Sequence, residues 1–397
     1  MLARLFMYLV VPFKRSENMT KISRSDTFAK MAEQFSRALG EWHRFLPLGM
    51  AMGVPQLLRG ENHVDYRYEY YREDNNRMRI ETHSVYFEQK LIDAVTAKGE
   101  LIYDGISGAT PRGTPSGTDV QQVNDIRRAW NISLDCGLWN QVITPGFAYS
   151  KEDDYESRGF SLSDAISFNE KNTTVQFGVS RNADLVRDDS LVNWRDKTTT
   201  EGFVGLTQLL TPKTILSANF TYGTEYGYLT DPYRVARFDL FGFTFNEQRP
   251  GHKTKEVALV SITQYFEKVN ASLEASYRYH HDTYGIDSQT ASLIWHQWLG
   301  KHLMVEPMFR YYTQSSAKFY GTSFPGLTPG GGFFSSDYRL SEFYSLDYGL
   351  QATVFVTEWL QFNAGYHRYE MNGLDGKTDP AMYPQANVFT VGLSLRW

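Results

Sequence analysis

Val269–His280 reads VNASLEASYRYH, and the spacing of its side chains decides the fold class. Val269, Ala271, Leu273, Ala275, Tyr277 and Tyr279 fall on one face of an extended chain; Asn270, Ser272, Glu274, Ser276, Arg278 and His280 fall on the other. A period of two is the signature of a strand with one apolar and one polar face, because successive side chains point to opposite sides of the pleat. The pattern recurs in Leu303–Tyr312, Thr214–Tyr222 and Val64–Tyr71. It recurs again at the C-terminus, where Phe389, Val391, Leu393, Leu395 and Trp397 alternate with Thr390, Gly392, Ser394 and Arg396.

Outward from these segments, about sixteen strands are expected, at 64–73, 78–89, 95–104, 125–138, 141–150, 157–168, 173–181, 200–210, 214–223, 252–265, 269–279, 288–299, 302–313, 340–355, 359–368 and 387–397. Alternation alone also fits a soluble sandwich with one wet face. The connections separate the two. Every second one is tight (Lys90–Ala94, Trp139–Asn140, Thr211–Lys213, Glu267–Lys268, Gly300–Lys301), whereas most of those between are long (105–124, 182–199, 224–251, 314–339, 369–386). A sandwich has no reason to sort its loops by parity; a membrane barrel has short turns on one side and long loops on the other. The expectation is an all-β, transmembrane antiparallel up-and-down β-barrel of about 16 strands (14–18), in a bacterial outer membrane with both termini periplasmic.

Composition agrees. The mean hydropathy of -0.43 looks soluble, and no stretch after the N-terminal region offers the roughly 18 to 20 apolar residues of a spanning helix. A spanning strand needs only about 9 to 11 residues, half of them apolar. The 26 Tyr, 26 Phe and 8 Trp suit interfacial belts, and tyrosines at strand ends (Tyr70, Tyr103, Tyr149, Tyr222, Tyr279, Tyr311) fall where such belts form. A net charge of -5 gives no electrostatic case for nucleic acid. Cys136 is the only cysteine, which excludes an internal disulfide and a multi-cysteine metal site.

Residues 1–53 read as a targeting segment: a basic region, the short apolar run Phe45–Met52, then small residues at Ala51 and Gly53. Residues 54–63 are a short periplasmic or lumenal lead-in, and 64–397 form the barrel.

The C-terminal TVGLSLRW, with Gly392, Leu395 and Trp397 in position, resembles the signal that outer-membrane proteins present to the barrel-assembly machinery. The strings DGISGATP (Asp104–Pro111), EDDYES (Glu152–Ser157), YLTDPYR (Tyr228–Arg234), YRYHHDTYGID (Tyr277–Asp287), RYYTQSSAKFY (Arg310–Tyr320) and SDYRL (Ser336–Leu340) resemble a family of bacterial barrel proteins known mostly as a domain of unknown function. That resemblance implies an outer-membrane barrel in contact with lipid and says little about cargo.

Two groups of residues are candidates for function. Arg67, Glu69, Arg127, Glu274, Arg278, Glu306 and Arg310 point inward, where charges of both signs along the strands would line a wet pore with mild ion preference; the alternative is that they pair and close it. Asp153, Asp154, Asp231, Asp282, Asp287 and Asp337 sit on the loop side and offer oxygen ligands for Ca²⁺. Without calcium-loop spacing, pairing with Arg158, Arg234 and Arg339 is the preferred reading, and no metal or other cofactor is assigned. His280, His281, His296, His302, Ser315 and Ser316 lack a nucleophile motif, so no enzyme activity is expected. The leading function is a channel or transporter for small polar solutes; the runner-up is a scaffold or conduit sheath for a periplasmic or surface partner with an occluded lumen, and a barrel-embedded enzyme comes third.

Overall fold

The computed structural model describes residues 62–113, 119–188, 190–238, 242–326 and 329–397. The targeting segment expected at 1–53, and the lead-in up to residue 61, lie outside the described residues.

The alternating segments become strands: β1 (His63–Glu73), β2 (Met78–Ile92), β3 (Val95–Pro111), β4 (Val120–Leu138), β5 (Gln141–Lys151), β6 (Tyr155–Phe168), β7 (Thr173–Arg187), β8 (Trp194–Thr211) and β9 (Thr214–Gly227). A short pair, β10 (Val235–Phe238) and β11 (Phe243–Asn246), interrupts the series. It resumes with β12 (His252–Phe266), β13 (Ala271–Asp282), β14 (Asp287–Leu299), β15 (Leu303–Gln314), β16 (Phe343–Phe355), β17 (Leu360–Gly373) and β18 (Gln385–Arg396). All but β10 and β11 join one closed antiparallel ring, which β1 completes by pairing with β2 and with β18 from His63↔Arg396 to Glu73↔Ala386. Closure has a physical necessity. Hydrocarbon offers no partner for a bare N–H or C=O, so a sheet that crosses it can have no free edge.

The ring is inside-out relative to a soluble protein. On β18, Phe389 is 50% exposed and Thr390 5%, and the same alternation carries Val391 and Leu395 outward while Ser394 and Arg396 are buried. On β13, Tyr277 and Tyr279 face out, and Ser272, Glu274 and Ser276 face in. An apolar outside around a polar inside is stable only where lipid replaces water at the wall. Of the strand-end tyrosines, Tyr103, Tyr222, Tyr279 and Tyr311 are exposed. Tyr279 donates its hydroxyl to Asp287 (2.7 Å), so its ring meets lipid while its oxygen keeps a polar partner.

Leu273 sits on the outer face, so Leu273→Arg is expected to cost about 2 to 4 kcal/mol if it lies near the bilayer midplane. Reversible unfolding in lipid vesicles measures this, and an unchanged stability would put Leu273 away from lipid. Ser272, on the inner face, offers an arginine no more room. It is buried opposite His296 on β14, so the added bulk meets packed side chains rather than an open lumen.

The short turns hold at one end: 93–94, 139–140, 169–172, 212–213, 267–270, 300–302 and 356–359. At the other end, two connections expected to be long are shorter. β3 and β4 run on until only 112–119 separates them, and β7 and β8 until only 188–193 does. Beyond the bilayer neither face need be apolar, so strands continue there without the alternation that reveals them. The long connections that remain are 228–251, 315–342 and 374–384.

Candidate functional site at the lidded mouth of the barrel

The two longest connections fold over the mouth instead of standing away from it. Residues 228–251 leave β9 and reach the far wall, although β8 through β4 separate β9 from β3 round the ring. There the N–H of Val235 donates to the carbonyl of Arg112 (2.8 Å) and Arg234 Nη2 donates to Thr110 Oγ1 (3.1 Å). The β10–β11 hairpin in this segment is joined to 315–342 by reciprocal bonds between Gln248 and Phe334 and by Phe324 N–H to the Arg237 carbonyl, each 2.9 Å. Gly113 marks the crowding. It has φ of +104°, and a Cβ there would lie 2.7 Å from the Ser336 carbonyl oxygen and 2.8 Å from that of Val235.

Two apolar cores hold this lid, one small and one large. Ala236, Phe238 and Phe334 are buried, with Phe245 and Phe324 packed against them. A larger cluster lines the inside of the loop end, where Tyr71, Met78, Ile80, Ile106, Tyr369 and Met371 of the wall meet Tyr338, Met382 and Tyr383 of the connections. The sequence reading has no strand between 224 and 251. The available signal was the alternation in Phe243-Thr244-Phe245, which is too short to separate from loop composition.

Between the cores lies a buried charge cluster, three guanidiniums against three carboxylates. Arg339 Nε lies 2.9 Å from Asp337, Arg249 Nη2 lies 2.7 Å from Asp337 and Nε 2.6 Å from Glu247, and Arg339 also bonds Asp231. Arg234, only 1% exposed, stands 3.7 Å from Asp231 and 3.9 Å from Asp337, with its guanidinium over the Tyr338 ring at 5.6 Å. Main-chain donors complete the cluster, with the Asp231 N–H on Glu247 (2.7 Å) and the Arg339 N–H on Asp337 (3.1 Å). Burial alone raises the carboxyls of Asp231 and Asp337, but Arg339 and Arg234 outweigh it and hold both below the usual range. Glu247 is raised, by burial first and then by its neighbours Asp337 and Asp231 against the pull of Arg249.

The signs set the pH response. Asp231 and Asp337 stabilise the lid above their ordinary values near pH 4 and lose that contribution only as the pH falls from there toward their depressed ones. Glu247 takes up a proton more readily in the folded lid, which favours folding on mild acidification. Amide protection at Val235–Phe238 should therefore survive from pH 7 to pH 5 and fall only below about pH 4. Lid amides that open at pH 6 in hydrogen exchange would contradict this.

The inward charges lie on the barrel wall below the lid. Glu69, Arg127, Glu274 and Glu306 are buried, and Arg67, Arg278 and Arg310 are half-buried, so these groups lie among packed side chains instead of lining a broad aqueous bore. Arg127 Nε meets Asp104 at 2.5 Å, with Thr82 also on Asp104 (2.6 Å); Glu306 meets His296 at 2.7 Å. Lys98 meets Asp135 (2.6 Å) and Lys253 meets Glu225 (3.0 Å). Of the pairs expected along the strands, Arg67 bonds Glu69, while Glu274/Arg278 and Glu306/Arg310 are not in contact as pairs. Residues four apart on a strand stand about 13 Å from each other, and Glu306 instead meets His296 of the neighbouring β14.

The six loop-side acids do not converge. Asp231 and Asp337 enter the lid cluster, opposite Arg234 and Arg339 as the sequence suggested, whereas Arg158 pairs with Glu156 (2.8 Å). Asp282 and Asp287 belong to strand ends: Asp282 accepts the Ile286 N–H (3.1 Å) and Asp287 meets His281 (2.8 Å). Asp153 is exposed, and Asp154 is buried in the turn between β5 and β6. At the C-terminus Leu395 and Trp397 are exposed, and a Cβ at Gly392 would lie 2.6 Å from the Asn363 side chain. Sequence reasoning missed Glu247 and Arg249, which read as ordinary loop polarity until the lid folds them inward.

A closed antiparallel ring of sixteen strands, apolar outside and polar within, defines a transmembrane β-barrel of the outer-membrane type. The chain belongs to the family described as protein of unknown function DUF3570, whose profile matches residues 50–125, 121–193 and 187–396. No curated protein matches it. Among solved structures it is similar to CdiB from Acinetobacter baumannii (8% identity, TM-score 0.50, covering 84% of this chain and 60% of that one). It also matches a bacterial polysaccharide outer membrane secretin (11% identity, TM-score 0.46, 86% and 99% covered). A third is the outer membrane channel DcaP of Acinetobacter baumannii (10% identity, TM-score 0.42, 85% and 96% covered). Such likeness concerns the fold alone.

Proposed function

We propose that this chain is a gated channel for small polar solutes in the bacterial outer membrane, shut at rest by its own lid, with short turns and both termini on the periplasmic side. The observation that carries the reading is the lid cluster itself. A purely structural sheath has no need of a buried, charge-balanced clasp between two loops across its mouth, whereas a gate needs two arrangements separated by a few kcal/mol. Paired ions suit that role because their pairing depends on geometry and water exchange can release them. Beneath the lid the half-buried Arg67, Arg278 and Arg310 would give hydrophilic cargo a narrow polar path rather than a broad bore. His302 bonds the Phe355 carbonyl (2.9 Å) and Ser315 accepts the Asp287 N–H (2.8 Å), and no enzymatic step is part of this proposal.

The test is single-channel recording of purified protein in planar bilayers. The intact barrel should stay mostly shut, and a variant with a weakened lid should conduct. No current from a well-folded, lid-weakened barrel would favour the sheath reading, in which the packed wall charges fill the lumen permanently.

A further inference from the structure

The outer face of β4, β5, β6 and β7 changes character at one height. Trp130, Phe160 and Val179 are exposed on it, and Tyr149 joins them through its ring contact with Trp130 (6.2 Å). The next outward position on each strand toward the loops is a cation: Arg128, Lys151, Arg158 and Arg181, all exposed. These four share a distance from the short turns. Arg128 and Lys151 each lie eleven residues from the turn 139–140, while Arg158 lies eleven from the turn 169–172 and Arg181 nine. At about 3.3 Å per residue and a strand tilt of about 40°, that is a climb of roughly 23 to 28 Å. The apolar band of an outer-membrane barrel is about 25 Å tall, so the cations stand at its far edge.

The charge of this patch is only partly answered within the protein. Glu156, one outward position beyond Arg158, accepts from Arg158 (2.8 Å) and stands 3.9 Å from Lys151. Arg128 and Arg181 make no hydrogen bond or ion pair among the described residues. The patch is also local. Eleven residues from its own short turn, β12 presents Glu256 outward instead. A merely solvated charged face has no reason to keep one height across adjacent strands, whereas a layer of headgroups imposes it. Cations set where lipid-facing apolar side chains give out are complementary to an anion held in the membrane surface.

We propose that Arg128, Lys151, Arg158 and Arg181 bind the phosphates of lipopolysaccharide in the outer leaflet, with its acyl chains lying on the aromatic face below them. The inference uses the orientation proposed above, loops outward, and does not depend on conduction. Lipid A, the membrane part of lipopolysaccharide, carries its phosphates where acyl chains meet sugar, which is the level of the four cations. It bears two phosphates on one molecule, unlike a phospholipid, so several cations can hold one lipid at once. Guanidinium meets phosphate oxygens through two parallel N–H bonds, and three of the four cations are arginines. Below them Trp130, Phe147 and Phe160, in ring contact at 5.3 and 4.9 Å, offer broad apolar area to the chains.

The test uses the full-length folded barrel in detergent and native mass spectrometry with added bisphosphorylated lipid A. The intact protein should retain the lipid saturably. Arg128→Gln and Arg181→Gln, made together, should weaken retention at least about tenfold, since each cation near the surface adds to the attraction. Dephosphorylated lipid A should be held as weakly by the intact protein, with little further loss in the double variant. Should that variant misfold, Lys151→Gln with Arg158→Gln takes its place and should give a similar loss. Equal retention of bisphosphorylated lipid A by the intact protein and a folded double variant would overturn the proposal. So would phosphatidylglycerol held as tightly as lipid A, which would mark a general anionic-lipid surface. Protease added to intact cells reads the orientation separately. A 188–193 tip cut only after lysis would overturn the orientation, and with it the choice of leaflet, whatever the binding in detergent.

Discussion

Asp337→Ala should open the lid. Asp337 meets Arg339 and Arg249 directly and lies 3.9 Å from Arg234, and its removal leaves three buried guanidiniums facing only Asp231 and Glu247. Breaking one partner of a buried ion cluster costs about 3 to 5 kcal/mol, mostly through the charges left behind. At about 1.4 kcal/mol per decade, the equilibrium between shut and open lid should move by two to three and a half decades. The barrel wall should be spared, because its strands are joined by ladders that do not involve Asp337. Bilayer recording should show frequent openings where the intact protein shows few, and lid amides should exchange faster while those of β13 do not. Unaltered lid exchange would mean that the apolar contacts around Phe238 and Tyr338 hold the lid without the ions.

Arg127→Met should destabilise the wall by a similar amount, about 3 to 5 kcal/mol, for a related reason. Asp104 is only 1% exposed, and among the described residues its remaining side-chain partner is the hydroxyl of Thr82. A hydroxyl bond does not replace a guanidinium 2.5 Å away. Adding Asp104→Leu should recover much of the loss, since an apolar pair of similar volume strands no charge. Chemical unfolding of both variants in vesicles measures the difference. A double variant as unstable as the single one would show that packing, not charge, dominates this part of the interior.

The response to lid breakage separates two roles that the sequence leaves undivided. Asp231 in TDPYR and Asp337 in SDYRL look no different locally from Asp153 and Asp154 in EDDYES, all of them acids near turn residues. Folding puts the first two against arginines that come from 234, 249 and 339, and puts Asp154 against other acids. Nothing in local spacing carries that distinction, because the partners are brought together only when two connections cross the mouth.

The sequence by itself determined the wall. Alternation at Val269–His280, and its recurrence down to Trp397, settles strand type, strand number, which side chains meet lipid and which end bears the short turns. Those properties depend on neighbours along the chain and on the uniform demand of hydrocarbon for apolar side chains and closed backbone bonding. The tertiary structure alone decided the rest. The lengths of β3 and β7, the β10–β11 hairpin, the partners of Glu306 and Arg127, and the charge cluster under the lid all lie beyond lipid or inside the ring. There a residue's fate is set by what stands across from it, and contacts between 234, 249 and 339, or between 125 and 154, exist only once the ring has closed and its loops have folded inward.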